Sequence, residues 1–150
     1  MNPLKYFFAL APLALLLCVP APAVAAAPCD LASIDWSQTT TITEVLDYFR
    51  FHPEELDFDH CKPYKLQIIN NSAYIAHAFT APDFFKSILL RNPDTGAMTT
   101  PSYEELQLAP QTEIDITFVA TAPGDYPLWC SHRFHPTLGM KGLIHVDGQQ

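Results

Sequence analysis

The stretch Gly124-Asp125-Tyr126-Pro127-Leu128-Trp129-Cys130-Ser131-His132-Arg133-Phe134-His135-Pro136-Thr137-Leu138-Gly139-Met140-Lys141-Gly142 carries the decisive pattern of this sequence. On its amino-terminal side Tyr126, Leu128 and Cys130 fall on one face of a strand, because strand side chains alternate with period two. On its carboxy-terminal side Ile144 and Val146 suggest a terminal strand. Between the two, Cys130, His135 and Met140 stand at five-residue steps, C-x4-H-x4-M. A thiolate, an imidazole and a thioether on one loop form a soft, mixed donor set suited to copper. Zinc prefers four nitrogen or sulfur donors and has little use for a thioether. The loop brings its three side chains to one point if Cys130 ends a strand and Met140 begins the return. A second imidazole must then come from a neighbouring strand, and His77 is placed to supply it.

Working outward, other stretches repeat the strand period. Tyr64, Leu66 and Ile68 share one face of Tyr64 to Asn70, and the apolar and polar residues of Glu113 to Phe118 separate cleanly. Turn signals stand between them: Asn70-Asn71-Ser72, Asn92-Pro93-Asp94-Thr95-Gly96, Ala122-Pro123-Gly124-Asp125 and Asp147-Gly148. Short strands punctuated in this way predict an antiparallel sandwich or barrel. One segment reads two ways. Ile42, Val45, Leu46 and Phe49 fall at helical spacing, but the β-branched run Thr39 to Thr43 and the closing Pro53 favour a strand. Asp83 to Leu90 reads as a short helix, followed by a long excursion to about Ala109. In so small a domain such an excursion is usually functional or mobile.

Composition narrows the function. The chain has 150 residues, 8 Lys+Arg, 16 Asp+Glu and a net charge of −8. An acidic chain without a basic cluster repels phosphate backbones, which excludes nucleic-acid binding. With 49% hydrophobic residues it is not disordered, and 14 prolines against 5 glycines argue for short elements and rigid turns. Met1 to Lys5 is a short positive start, Tyr6 to Val19 an apolar run, and Ala23-Val24-Ala25 a small-residue cleavage site. This is the layout of a secretory signal peptide cleaved after Ala25, with an uncleaved membrane anchor as the competing reading. Cleavage removes Lys5 and Cys18, taking the net charge from −8 to −9 and the four cysteines to three. The expected organisation is a signal peptide over 1–25, an amino-terminal arm over 26–40 and one domain over 41–147, exported to the periplasm without stable membrane association.

The residues resemble those of the cupredoxins, the single-domain blue-copper family. Gly124-x-Tyr126-x-Leu128-Trp129-Cys130 is similar to the family's last strand before its cysteine, and Gly139-Met140-x-Gly142-x-Ile144-x-Val146 to its ending. The ligand-loop spacing resembles that of rusticyanin. Upstream, Phe51-x-Pro53-x-x-Leu56, Tyr64-x-Leu66-x-Ile68-x-Asn70-x-Ser72 and His77-x-Phe79 resemble the family's first strands and first histidine. The likeness runs from about Thr41 to Val146 and is poor from Pro82 to Ala109.

The resemblance implies an all-β, Greek-key sandwich or barrel of about 7–8 strands, with a short helix or long loop inserted. It implies one copper cycling between Cu(I) and Cu(II), held by His77, Cys130 and His135 with Met140 as a long axial ligand. Such a set suits both oxidation states, so electron transfer needs little rearrangement. The family often has Asn or Ser after the first histidine, tying the ligand loops together; here Ala78 stands there. Cys61 occupies a position where relatives usually have a turn glycine, which suggests a turn recruited for a disulfide with Cys29.

Simpler readings compete at each position: a buried inert thiol for Cys130, a satisfied core histidine for His77, core packing for Met140. His132 is either an extra ligand or an exposed loop residue, while His52, His60 and His145 are expected on the surface. Trp129, one residue from the ligand cysteine, is either packing or an electron exit, as are Pro136 and Leu138 beside His135. The implied function is an electron carrier, a monomer that meets a cytochrome or copper enzyme transiently. The alternative is a copper chaperone or resistance protein. An enzyme is disfavoured, since the sequence lacks the paired His-x-His clusters of multicopper oxidases and a second cysteine near Cys130.

Overall fold

The β-branched run at Thr39 to Thr43 prevails over the helical spacing that follows it, and Thr40–Asp47 is a strand, β1. The computed structural model describes residues 27–148; the leader expected over 1–25 and its cleavage site lie outside them. Within β1, Glu44 and Leu46 are buried, with Ile42 on the same face. The chain reverses through Tyr48 and Phe49, both at positive φ, into the short strand β2, Arg50–His52. β3, Glu55–Asp59, and β4, Pro63–Asn70, follow. Tyr64, Leu66, Ile68 and Asn70 of β4 are all buried, as their alternation predicts. β5, His77–Thr80, is buried along its length.

The helix expected over Asp83 to Leu90 is shorter: α1 spans Pro82–Lys86, and Ile88–Arg91 is strand β6. Pro82 suits a first helical position, and the Ser87 N–H closes the end on the Phe84 carbonyl. Ile88 to Leu90 then pair with Ala120 to Phe118, so sheet contacts override the local helical signal. The excursion to Ala109 is likewise ordered in sheets, through β7, Met98–Thr99, and β8, Glu105–Leu108. β9, Glu113–Ala120, β10, Gly124–Trp129, and β11, Lys141–Asp147, complete the chain.

The strands form two sheets, ordered β2-β1-β4-β9-β6-β7 and β3-β11-β10-β5-β8. The described residues thus hold 11 strands where about 7–8 were expected, because several are short. The sandwich is also mixed rather than wholly antiparallel: β1 runs parallel to β4, and β3 to β11. Between the sheets lies an aromatic core of Phe51, Phe58, Phe79, Phe84, Phe85 and Phe118. Burying each such ring contributes about 1.5–3 kcal/mol, and their edge and stacked contacts hold α1 against both sheets.

The amino-terminal arm folds into two 3-10 turns, each started by an aspartate accepting a backbone N–H, Asp30 from Ala32 and Asp35 from Ser37. The Arg91 guanidinium lies over Trp36, 4.9 Å from the ring centre, and Cys29 is disulfide-bonded to Cys61. Cys61 has φ 62°, the left-handed conformation that glycine adopts freely. His60 is not on the surface as expected. It is buried against the disulfide, with Nε2 3.1 Å from the Thr121 carbonyl oxygen. Replacing Cys29 and Cys61 by serine is expected to lower unfolding stability by roughly 3–4 kcal/mol, the loop-closure entropy of a bridge of this span. Denaturant titration of the pair variant measures it.

Glu44 is the anomaly of the core. It is fully buried, neither carboxyl oxygen makes a hydrogen bond, and burial pushes its pKa up to about 8 against slight relief from the His52 backbone. A carboxyl raised in the folded state stabilises fully only below its unfolded pKa, near 4.5, and that stability is lost as pH rises through 8. The Glu44→Gln variant is therefore expected to gain on the parent protein by about 1.4 kcal/mol per pH unit across this window. Melting curves of both proteins at a series of pH values test the widening gap.

Candidate metal centre

Strand geometry brings the first two donors together. β10 meets β5 at Trp129 and Thr80, so Cys130, just past the end of β10, arrives beside the start of β5. The Ala78 N–H donates to Cys130 Sγ at 3.3 Å. The backbone of Ala78 thus makes one tie between the ligand segments. A second comes from Glu105 on β8, whose carboxylate accepts from the Thr80 hydroxyl at 3.0 Å. The Ser131 hydroxyl, then the Gln107 amide and Thr80, hold the Glu105 carboxyl below the usual carboxylate range.

The return loop closes on itself. The Cys130 N–H donates to the Met140 carbonyl at 3.2 Å, and the Met140 N–H to the His135 carbonyl at 3.0 Å. These bonds set residues 130, 135 and 140 side by side although five residues separate each from the next. Two glycines make the closure possible. Gly139 has φ 105°, and a Cβ there would stand 2.9 Å from the Arg50 guanidinium. At Gly142 a Cβ would lie 2.6 Å from the Glu54 carbonyl oxygen, where β11 passes close to the segment before β3. The pattern Gly139-Met140-x-Gly142 is thus a backbone requirement on either side of Met140.

His77, Cys130 and His135 each present a donor atom, and these atoms lie within 4.8 Å of one another. His77, Cys130 and Met140 are fully buried, and His135 is half-buried. Cys130 Sγ lies 3.3 Å from His135 Nδ1. His77 Nε2 is engaged by the Ser72 hydroxyl at 3.0 Å, whereas its Nδ1 is buried with no hydrogen-bond partner. A buried ring nitrogen without a hydrogen-bond partner, on a histidine grouped with a thiol and a second imidazole, is costly unless a metal completes it. The donors are those a single copper ion favours, two imidazoles and a thiolate, with the buried Met140 joined to Cys130 and His135 through its backbone.

The electrostatics keep these donors available. Burial first, then repulsion from His135 and His132, pushes the His77 pKa down to about 4 against the opposing pull of Asp47. Burial and His132 also lower His135, so both rings are neutral near neutrality, the form in which an imidazole can bind a metal. Burial raises the Cys130 thiol despite the N–H groups of Ala78 and His132, so metal binding there must displace a proton.

Phe49, missed in the sequence, caps the cluster: its ring centre lies 4.8 Å from that of His135 and 6.1 Å from that of His77. Its role depends on the positive-φ turn after β1, and nothing local in the sequence marks it. His132 is neither free on the surface nor within the three-residue group. Its ring centre is 5.4 Å from that of His135, and its Nε2 is buried without a partner. Around His135 the loop exposes Phe134 and Leu138 with Pro136 half-buried between them, and Arg133 lies over the Phe134 ring. Trp129 is half-buried, on the opposite strand face from Leu128. Of the remaining histidines, His52 is exposed, and His145 is half-exposed between Asp125 and Asp147, which raise its pKa.

Solved structures with this fold include the dithionite-reduced auracyanin of the photosynthetic bacterium Roseiflexus castenholzii, 22% identical with a TM-score of 0.53 over 72% of this chain and 97% of that one. Auracyanin B is similar at 19% identity and a TM-score of 0.50, over 73% of this chain and 89% of its own. Auracyanin A of the green thermophilic bacterium Chloroflexus aurantiacus, described as a blue copper protein, matches at 19% and 0.50 over 73% and 99% of the two chains. No protein-family model and no curated protein matches the sequence. At these identities the likeness is one of fold, and the fold is the Greek-key sandwich of the cupredoxins.

Substituting Gly142 by alanine forces its new Cβ against the Glu54 carbonyl and is expected to cost about 1–3 kcal/mol, the usual penalty of overpacking. The same change should loosen the loop at Met140. Thermal unfolding and exchange of the Cys130 and Met140 amides measure the two effects.

Proposed function

We propose that the protein is an electron carrier with one type 1 copper held by His77, Cys130 and His135, with Met140 as a weak axial donor. The observation that carries this reading is the unpaired Nδ1 of the buried His77, in a group that includes a buried thiol and a second imidazole. Copper bound there supplies the one-electron couple. The chain's own residues do the rest: the sandwich holds the two strand-borne donors rigidly, the Ala78 N–H stabilises the thiolate, and Phe49 keeps water from the rings. A site held in one shape for both oxidation states exchanges electrons with little rearrangement.

The blue-copper character of auracyanin A and the rusticyanin-like spacing of Cys130, His135 and Met140 support the same reading. The half-buried ring of His135, flanked by exposed Phe134 and Leu138, supplies a small apolar face suited to brief contact with a cytochrome or copper enzyme. Trp129, Pro136 and Leu138 are the candidate exit residues. Export to the periplasm, with cleavage after Ala25 and the arm over 26–40 leading into the domain over 41–147, fits an oxidised disulfide at Cys29 and Cys61.

A copper chaperone is the second reading, favoured by His132, whose unpaired buried nitrogen lies near His135. Adding Cu(II) to the apoprotein separates the possibilities. An intense visible thiolate charge-transfer band that disappears in Cys130→Ala is expected, with reversible one-electron voltammetry. A pale complex indifferent to that substitution overturns the type 1 reading. Tight binding of one oxidation state alone favours the chaperone.

A further inference from the structure

Beside the metal centre runs a chain of polar contacts that the ligand set does not explain. Ser72, 7% exposed, places its hydroxyl 3.0 Å from Nε2 of the fully buried His77. The same hydroxyl lies 3.4 Å from Asp47 Oδ1. Asp47 is itself anchored, accepting the Tyr48 N–H at 2.9 Å on Oδ1 and the Asn71 amide at 3.1 Å on Oδ2. The two loops that carry these residues are joined by the Asn71 N–H to the Leu46 carbonyl, 3.0 Å. Asn70, fully buried, then fixes Ser72 by accepting its N–H at 3.0 Å and donating to the carbonyls of Ile75, Leu108 and Ala109.

A hydroxyl has one proton, so the direction of this chain is a choice between two states. If Ser72 donates to Nε2, the imidazole proton moves to Nδ1, which is buried with no acceptor. If Nε2–H donates to Ser72, the hydroxyl proton is free for a carboxylate, and Asp47 is the one that faces it. The second state gives both the Nε2–H and the Ser72 O–H an acceptor and leaves the Nδ1 lone pair for the metal. We propose that Asp47 and Ser72 are positioning residues, a carboxylate–serine relay that holds His77 in its Nε2–H tautomer and makes Nδ1 its donor atom. A carboxylate behind an imidazole also strengthens it as a ligand, more for Cu(II) than for Cu(I). The far end of the relay opens on a cleft of about 390 Å³ lined by Asp47, Tyr48, Phe49, Ser72, Tyr74 and Ile75. Tyr48 and Tyr74 are 84% and 92% exposed, so changes in that cleft lie two hydrogen bonds from the donor ring.

The tautomer claim stands on the apoprotein; its effect on potential rests on the copper reading above, and the two are measured separately. Nitrogen-15 NMR of the apoprotein should show His77 protonated on Nε2 alone. Ser72→Ala and Asp47→Ala should give a tautomer mixture, and Ser72→Thr, which keeps the hydroxyl, should restore the parent pattern. Asp47→Asn replaces Asp47→Ala if the latter fails to fold. In the copper-loaded protein, Cu(II) affinity should fall about 10–100-fold in Ser72→Ala and Asp47→Ala, with Cu(I) affinity falling less. Each tenfold difference between the two raises the potential by about 59 mV. An unchanged tautomer in both alanine variants overturns the proposal, whether or not copper binds. So does an equal loss of Cu(I) and Cu(II) affinity accompanied by a lower melting temperature, because that is the mark of a merely structural pair.

Discussion

The hydrogen bond from the Ala78 N–H to Cys130 Sγ is the contact on which the centre depends. It joins a strand from the middle of the chain to the end of a strand 52 residues later, at the point where β5 and β10 pair. The thiol is fully buried, a position that disfavours the thiolate, and a backbone donor is among the few groups able to offset that cost without another charge. Because the donor is backbone, it is available whatever side chain follows His77, and the small Ala78 leaves room for it. Side-chain support lies one strand outward, where the Glu105 carboxylate accepts from the Thr80 hydroxyl.

The rest of the sandwich is arranged so that this polar cluster can stay rigid. Six phenylalanines fill the space between the sheets, and the ring of Phe49 continues that apolar surface up to the two histidines. The left-handed turn at Tyr48 and Phe49 thus serves both sides of the site, since it carries the cap and begins next to Asp47. The disulfide sits away from the centre, tying the arm to the turn after β3, so the two pieces of cysteine chemistry do not interfere. Among the described residues the buried polar atoms without a partner are the Nδ1 of His77 and the Nε2 of His132 at the centre and, away from it, the Glu44 carboxyl on the inner face of β1.

Much of the fold was legible residue by residue. The alternation in β4 marked its buried face correctly, and the β-branched threonines before Ile42 outweighed a helical spacing that had no structural consequence. The helix over Asp83 to Leu90 was overestimated because local periodicity cannot register that Ile88 will find Ala120 across the sheet. Parallel pairing of β1 with β4 was not visible for the same reason: strand direction is a property of pairs, and each strand's own pattern is identical either way. His60 was misplaced on the surface because its partners, the disulfide and the Thr121 carbonyl, are brought to it from distant parts of the chain.

The candidate donors divide along the same line. Cys130, His135 and Met140 are close in the chain, and their identity, spacing and flanking glycines carry their chemistry in a form that can be read directly. Gly139 and Gly142 flank them in the same motif, although the reasons for them are structural: a φ of 105° at Gly139 and the Glu54 carbonyl 2.6 Å from where a Cβ at Gly142 would stand. His77 has no spacing rule to fix it in the sequence, and its membership of the group rests on strand pairing across the second sheet. Asp47 and Glu105 carried no signal in the sequence, and Phe49 and Ser72 entered only as parts of a spacing and a strand motif, because the role of a turn phenylalanine or of a serine after two asparagines has no meaning until a neighbour is known. Short-range spacing records what atoms are offered. Which nitrogen faces the thiol, what holds it there and what covers it are contacts between residues far apart in the chain, and folding alone brings those into being.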